Sequence, residues 1–409
     1  MLRRLFLSTF LLLLFLSLQA DFSDLYYNWS QFFFPLIDEN AGLTIFPSLF
    51  IPMGGKNEGM GTAFTAVAND ISFIEANPAA SSVLANTELA FLHHSWIMDS
   101  NLEAIVYTQR WGNLGFGAST KFLYIPFIEK DDWGESQAAG YYLEGIGTVN
   151  VSYNLFPNYY FHGLAFGLNL KLSYMGFPEN IVAGQSLLAG LVDFGFLTRF
   201  NFLKFFTSHD FNFSIGAVLK NVPLTPTPEP VPTTATFGIA YSPLRPLLFA
   251  VDFNLPISLS PSIPAERFYL ATGLSVSFSE FLGMQAGIKI KCGNPLISLG
   301  ATIDFSTVSF IVNYNLDLTN SLDPLDKFSI AARLNLGDDG RAERRKQVEA
   351  LYLEGLSLYA EKRLPEAIAK WQEALRLDPG FTPAASYLEI ATTALKLDRE
   401  IYERQAPHP

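Results

Sequence analysis

The sequence predicts an all-β transmembrane barrel of about 14 antiparallel strands, with a segment held in its lumen and a small α-helical domain at the C-terminus. Three observations predict this fold. The 409 residues are 49% hydrophobic and only 16% charged, yet beyond the N-terminal leader no stretch has the ~18 uninterrupted apolar residues that a spanning helix needs. Short segments alternate apolar with polar or small residues along most of the chain. Charged residues become dense only after residue 337.

The N-terminus has the form of a secretory signal peptide. Arg3 and Arg4 precede an apolar run from residue 5 to residue 18, and the small Ala20 follows. A basic start, a short apolar core and a small-residue end are typical of such signals. We therefore expect export, with residues 1–20 removed by cleavage after Ala20. An uncleaved anchor is the alternative.

Residues 54–82 form a Gly- and Ala-rich stretch, GGKNEGMGTAFTAVANDISFIEANPAASS. Its glycines allow one backbone to lie close to another. The pair Asn77-Pro78 is a turn signal that resists continuation of a helix. We interpret residues 21–85 as an N-terminal segment ending in a plug, or hatch, inside the barrel. The alternative is an ordinary helix and loop that lead into a soluble β-domain.

The predicted barrel occupies residues 86–337. In residues 164–174, large apolar side chains fall on one face and small or polar ones on the other, and residues 247–255 and 284–291 repeat the pattern. An apolar outside with a polar or small inside is typical of outer-membrane strands. A β-sandwich also alternates, but its outer face carries more Lys and Glu than these segments do. The segments begin near Thr87, Leu102, Asn113, Tyr141, Phe161, Gln185, Phe211, Thr233, Pro246, Glu266, Phe281, Pro295, Thr307 and Asp326.

The connections between these segments alternate in length. Short turns such as 111–113 and 242–246 alternate with longer polar or proline-rich loops such as 128–140 and 223–232. Barrels of this kind have short periplasmic turns and long outer loops, and an even strand count returns the chain to its starting side. The pattern predicts that both termini are periplasmic and that the hatch enters the lumen from that side.

The C-terminal domain, residues 338–409, begins at the charged boundary Gly337-Asp338-Asp339-Gly340. Residues 348–380 resemble a tetratricopeptide repeat, a helix–turn–helix unit of ~34 residues. The positions that carry this resemblance are Leu351, Gly355, Leu358, Ala367, Trp371, Ala374 and Pro379. Because about three repeats are normally needed for a continuous core, we expect this tail to pack on the barrel rim, on another copy or on a partner.

If the tail packs on a partner, we expect a periplasmic protein that binds residues 341–409. The first helix would present four side chains to the partner. They are Glu349, Tyr352, Leu356 and Tyr359. The alternative is that Tyr352 and Leu356 are simply core.

Motifs for catalysis are absent from the sequence. It contains no Gly-x-Ser-x-Gly elbow, no His-Glu-x-x-His and no paired-cysteine metal spacing. His93-His94 adjoin Ser95, but neighbours on a strand face opposite ways, so we expect no serine–histidine pair there. We expect no catalytic or metal-binding residues and no cofactor. A net charge of −12 argues against nucleic acid as a partner.

The hatch sequence resembles the N-terminal hatch of the FadL family of long-chain fatty acid outer-membrane channels, including its PorV/PorQ-like branch and an uncharacterised spirochaete branch. The resemblance covers residues 54–336, and the hatch residues that carry it are Gly59, Gly61, Asp70, Asn77, Pro78 and Ala79. It implies a passive channel for hydrophobic small molecules, embedded in outer-membrane lipid, whose lumen the hatch blocks.

In that family cargo leaves sideways through the wall near the third strand. Here that strand is residues 113–127, and Gly115, Gly117 and Pro126 are the candidates for a lateral opening because Gly and Pro weaken or bend a strand. The alternative is that the two glycines only relieve crowding on the lumen face.

Two lysines, Lys289 and Lys291, share one face of a predicted strand. If they face the lumen they are candidates to attract a carboxylate head group, and the alternative is solvated lumen lining. Three functions stay open at this point: a channel for fatty acids or similar molecules, a non-transporting scaffold for a periplasmic or secretion partner, and a lipid-modifying enzyme.

Overall fold

The computed structural model describes residue 32 and residues 37–97, 99–178, 184–208, 210–260, 263–317 and 325–405. The predicted signal peptide, residues 1–20, lies outside the described residues. Among the described residues, no helix combines the length and the apolar character needed to cross a membrane.

The described residues form fourteen antiparallel strands that close into a barrel, because the first strand pairs with the last. This confirms the predicted fold. The strands are β1 Glu88–Ser95, β2 Asn101–Trp111, β3 Leu114–Lys130, β4 Ser136–Leu155, β5 Leu164–Gly176, β6 Ser186–Phe200, β7 Phe213–Pro223, β8 Thr234–Tyr241, β9 Leu247–Pro256, β10 Tyr269–Ser277, β11 Leu282–Lys291, β12 Asn294–Asp304, β13 Val308–Asp317 and β14 Leu325–Asn335.

The largest difference from the predicted starts is at β4, which begins at Ser136 instead of Tyr141. The additional residues of β4 pair with the end of β3 beyond Pro126. Both segments there are exposed, so the apolar alternation that identifies the other strands is missing. Backbone pairing alone extends this hairpin beyond the rest of the wall.

The two faces of the wall differ as the alternation predicts. On β5, Phe166, Leu170 and Leu172 are exposed on the outside, whereas Asn169 and Ser173 are fully buried on the lumen side. Strand β9 repeats this arrangement. An apolar exterior on a closed barrel suits a lipid environment, because the closed ladder leaves no unpaired strand edge in the bilayer.

The lumen is occupied by the hatch, defined here as residues 54–82. It contains two short helices, α1 Gly55–Gly59 and α2 Phe73–Ala76, and a 3-10 turn at Pro78–Ser82. The side chains of Ile71, Phe73 and Ile74 are fully buried and share one apolar core with inward side chains of the first three strands. The hatch is therefore packed against the wall as a solid interior.

Residues 37–50 show that the expected entry side of the hatch is wrong. The Ile45 amide donates to the Pro230 carbonyl oxygen at 3.0 Å, and the Gly42 amide donates to Glu266 at 3.1 Å. Both partners belong to the long connections after β7 and β9. The chain thus runs from the long-loop end through the lumen to β1, and residues 37–50 lie at the end of the barrel opposite to the expected one. The strand count places the start of β1 but contains no information about the direction of the preceding segment.

The C-terminal helices are α3 Arg341–Ala360, α4 Leu364–Leu377 and α5 Thr382–Gln405. They pack on the barrel rim, the first of the three expected arrangements. The Tyr159 amide donates to the Gly380 carbonyl at 3.2 Å, and the Tyr159 ring lies 4.9 Å from the Phe381 ring. Because Tyr159 is in the connection between β4 and β5, the tail lies at the short-turn end, which is opposite residues 37–50.

Candidate functional site

The hatch is held by polar side chains that point inward from the wall. Asp252 on β9 accepts from the amides of Phe64 and Thr65 at 3.1 and 3.0 Å. On the other side of the lumen, Asn313 on β13 donates to the Gly55 carbonyl at 2.9 Å. A buried polar group without a partner costs about 1–3 kcal/mol, so these inward side chains and the hatch backbone stabilise each other.

The Asn77 side chain forms hydrogen bonds both within the hatch and to the barrel wall. Its amide nitrogen donates to the carbonyls of Thr65 and Phe196, both at 2.9 Å, and its oxygen accepts from the Ala79 amide at 3.0 Å. The residue is fully buried. Both hydrogens of the amide nitrogen, and the amide oxygen, therefore have a partner within the described structure.

The remaining hatch residues of the sequence prediction fall in three places. Gly59 and Gly61 lie against β11 to β13, and a Cβ on Gly61 would lie 2.7 Å from the Ile288 nitrogen. Asp70 stays within the hatch, where it accepts from the amides of Lys56 at 3.2 Å and Ser72 at 3.0 Å. Pro78 and Ala79 lie on the opposite side, against β5 and β6.

Inward glycines of the wall let the hatch backbone touch the strands. A Cβ on Gly115 would lie 2.2 Å from the Ser81 carbonyl carbon, and one on Gly167 would lie 2.2 Å from the Pro78 oxygen. Such distances do not occur for real Cβ atoms, so only glycine fits. A Cβ on Gly117 would similarly lie 3.0 Å from the Phe73 ring.

The barrel wall is closed on both sides of the third strand in this structure. Strand β3 pairs with β2 from Leu114 to Tyr124, and it pairs with β4 past Pro126. The contacts with the hatch give Gly115 and Gly117 a packing role. A lateral opening at these residues stays a prediction.

Two cavities lie beside residues 49–53, near the long-loop ends of the strands. Their volumes are about 120 Å³ and 310 Å³. Apolar side chains of the N-terminal segment, Phe50, Ile51 and Pro52, line both cavities, and so do Lys289 and Lys291. The smaller cavity is also lined by Lys121, Lys171 and Lys220, with Glu75 as its one acidic lining residue.

The five lysines of the smaller cavity differ in their partners. Three form ion pairs: Lys121 with Glu75 at 2.5 Å, Lys171 with Asp193 at 2.6 Å and Lys291 with Glu266 at 2.9 Å. For Lys220 and Lys289, the described part of the chain provides no hydrogen bond or ion pair to the ammonium group. Of the two predicted lysines, Lys291 is thus neutralised by Glu266, whereas Lys289 has no such partner among the described residues.

Lys220 is the functional candidate that the sequence analysis missed. The signal was present, because Phe213, Ile215 and Leu219 alternate with inward residues on β7 and this places Lys220 on the lumen side. An excess of lysines beside an apolar wall favours an anion with an apolar body, such as a carboxylate on a hydrocarbon chain.

Cys292, in the turn between β11 and β12, lines the larger cavity. Burial raises the pKa of its thiol to about 11. The thiolate is the reactive form of cysteine, so this side chain is an inert part of the lining near neutral pH.

The predicted partner contacts on α3 are largely internal to the tail. The Tyr352 ring lies 5.4 Å from Phe381 and 5.9 Å from Tyr387, and the Tyr359 ring lies 5.8 Å from Trp371. Leu356 packs in the same cluster. Glu349 is half-buried and pairs with Arg345 at 3.3 Å. Partner binding through these four residues stays a prediction.

Comparison with known proteins gives two family matches. The model of an uncharacterised protein family, UPF0164, matches residues 38–339, and the tetratricopeptide repeat model matches residues 348–381. Two UPF0164 proteins of Treponema pallidum (strain Nichols) are among the relatives. One is 30% identical, with 89% of this chain and 86% of the relative covered, and the other is 26% identical, with 87% and 77% covered.

Solved structures with similarity to this chain include outer-membrane channels. The toluene transporter TbuX of Ralstonia pickettii matches with a TM-score of 0.46 and 11% identity, covering 70% of this chain and 99% of that one. The monoaromatic hydrocarbon channel CymD matches with a TM-score of 0.48 and 11% identity, covering 70% and 98%.

Proposed function

The chain belongs to the UPF0164 family, and from that premise we propose that it is an outer-membrane channel for long-chain fatty acids or similar hydrophobic molecules with an anionic head group. The observation that carries the proposal is the lumen site at the long-loop end. There Lys220 and Lys289 lack anionic partners in the described structure, and an apolar segment lies beside them. Carboxylate cargo would supply the missing charge.

The proposed route begins at the long-loop end, where the cavities lie. The head group binds between Lys220 and Lys289, and the hydrocarbon chain lies along Phe50, Ile51 and Pro52. The hatch blocks direct passage toward the periplasm. The proposed exit is therefore sideways, near Gly115, Gly117 and Pro126, and it requires that the hatch and β3 separate.

Uptake of radiolabelled oleate tests the proposal in a bacterial strain that lacks its own fatty-acid channel. We expect the wild-type protein to restore uptake. The double variant Lys220→Gln/Lys289→Gln should weaken apparent affinity about 10-fold or more, since a hydrogen bond to a charged group contributes about 1.5–3 kcal/mol. Lys346→Gln is the matched control, because Lys346 is exposed on α3, far from the cavity. A double variant with wild-type uptake at all oleate concentrations would contradict the proposal.

A second candidate function is a scaffold that anchors a periplasmic partner through residues 341–409. The observation that favours it is an apolar stripe on α5, where Ile390, Leu397 and Ile401 are each about half exposed. The spacings of seven and four residues place these side chains on one helix face. If the protein is a scaffold, removal of the tail abolishes crosslinking to the partner. If the protein is a channel, removal of the tail leaves oleate uptake unchanged.

A further inference from the structure

Four polar side chains form a block on the outside of the barrel. His93 and Ser95 are two residues apart on β1, so they point to the same face. In the strand register His93 lies opposite Glu103, and Ser95 lies opposite Asn101, both on β2. Their neighbours Phe91 and Ile105 are about half exposed, which identifies this face as the outer one.

The sequence predicts no serine–histidine pair here, because Ser95 adjoins His94 on the strand, and within the described residues Ser95 has no hydrogen bond to either histidine. The ring of His94 points inward, is almost fully buried and contacts the Pro52 carbonyl at 2.9 Å. The histidine that shares the face of Ser95 is His93. Strand pairing brings Glu103 to His93 from the next strand.

The block places ionisable side chains on the lipid-facing side of the wall. Strand β1 ends at Ser95, at the long-loop end, and the residues level with His93 and Glu103 on the flanking strands are Ile330 and Phe122. The block therefore lies at the outer edge of the apolar band. At this edge the free-energy cost of an ionisable side chain is small, and ionisable residues within membrane segments are candidates for functional sites.

The block contains the residue types of a serine hydrolase, and one of its two contacts is formed. The His93 Nδ1 atom lies 2.7 Å from the Glu103 carboxylate, which leaves Nε2 free on the other side of the ring. Within the described residues the Ser95 hydroxyl forms no hydrogen bond, and its Cα is ~7 Å along the strand from that of His93. A histidine with a carboxylate on Nδ1 and a serine on the same face has the components of a Ser–His–carboxylate triad, which occurs on unrelated folds. The Ser95 hydroxyl must turn toward Nε2 to complete it.

An apolar depression adjoins the block. Its volume is about 360 Å³, and His93 and Glu103 line it together with Phe91, Ile105, Phe122, Phe310 and Ile330. The depression is on the outside of the wall, where lipid chains lie. It is large enough to hold part of an acyl chain with its ester group beside His93.

We propose that Ser95, His93 and Glu103 form a hydrolase site that cleaves ester-linked acyl chains of lipids in the outer leaflet. Nε2 of His93 takes the proton of Ser95 as its oxygen bonds to the ester carbonyl carbon, and Asn101 donates to the resulting oxyanion. The carbon–oxygen bond of the ester breaks, and the lipid alcohol leaves with the proton from His93. Water then attacks the acyl-serine by the same proton transfers, which releases a carboxylic acid and restores Ser95. Glu103 is a positioning residue for His93.

The test uses the full-length protein in vesicles of phosphatidylcholine that carries one fluorescent acyl chain. We expect release of the labelled fatty acid and covalent labelling of Ser95 by a fluorophosphonate, located by mass spectrometry. Ser95→Ala should reduce release to the protein-free blank and remove the label. Glu103→Gln should lower kcat about 100-fold or more and leave KM nearly unchanged. It should also shift the pH profile of kcat, an effect that a merely structural role would not have.

Thr272→Ala is the matched control, since Thr272 is an exposed outward hydroxyl on β10 away from the block. It should retain full release. Heat-modifiable gel mobility shows that each variant is a folded barrel. Folded wild-type protein without release or Ser95 labelling would overturn the proposal, and so would a Ser95→Ala variant with wild-type release. Lipid binding at this site without hydrolysis counts against it as well.

Discussion

Replacing residues 59–80 with a flexible Gly-Ser linker is expected to turn the closed barrel into an open pore. A linker of about 10 residues, which reaches up to ~33 Å, is used to join Glu58 to Ser81. The wall should remain folded, because its ladder closes between β1 and β14 without the hatch. Inward polar groups such as Asp252 and Asn313 would exchange hatch partners for water.

Single-channel recording in planar bilayers measures this effect. Wild-type protein should show little conductance, because wall glycines and hatch backbone are in direct contact at Gly115, Gly167 and Gly287. The linker variant should show large, stable steps. If the variant has the gel mobility of a folded barrel and conducts no more than wild type, residues 59–80 are not a plug. If it fails to fold, they are core that the wall requires.

Trp371→Ala is expected to unfold the C-terminal domain and leave the barrel intact. Trp371 is fully buried among α3, α4 and α5, and its indole nitrogen donates to the Tyr352 carbonyl at 3.2 Å. Gly355 on α3 leaves room for that ring, since a Cβ there would lie 2.4 Å from the indole nitrogen. Truncation of such a side chain costs about 3–5 kcal/mol. One repeat and one extra helix have little other core to compensate.

Limited proteolysis measures this prediction, with oleate uptake as the functional readout. The variant should lose residues after 340 to protease while the barrel remains resistant. Leu353→Ala is the control, because Leu353 is largely exposed on α3 and its loss should have little effect. Unchanged uptake in Trp371→Ala agrees with transport by the barrel alone. Loss of uptake with an intact barrel would assign the tail a part in transport.

The strands and their faces could be predicted from the sequence because period-two alternation reports directly on which side chain meets lipid. The strand count, the closed antiparallel barrel and the helical tail followed from this pattern and from the charge boundary near Gly337. Only the β3–β4 extension past Pro126 was missed, because exposed pairing strands have no apolar face.

The site was predictable only in part, because it depends on contacts between distant segments. Alternation places Lys289 and Lys291 on the lumen face, but Glu266 neutralises Lys291 from the connection between β9 and β10. It likewise identifies Asn169 as inward, yet its bond to the Ile74 carbonyl at 2.8 Å belongs to the hatch. The sequence predicted a hatch in the lumen but not which wall side chains hold it. The direction of the hatch has no local signal at all.

The central claim is that amphipathic carboxylates bind in the lumen at the long-loop end. A crystal structure of the protein with a fatty acid brominated at the end of its chain tests this most directly. The account predicts carboxylate density between Lys220 and Lys289, with the anomalous bromine signal inside the barrel along Phe50 to Pro52. A lumen without ligand density, with bromine signal only on the lipid-facing surface, would contradict it.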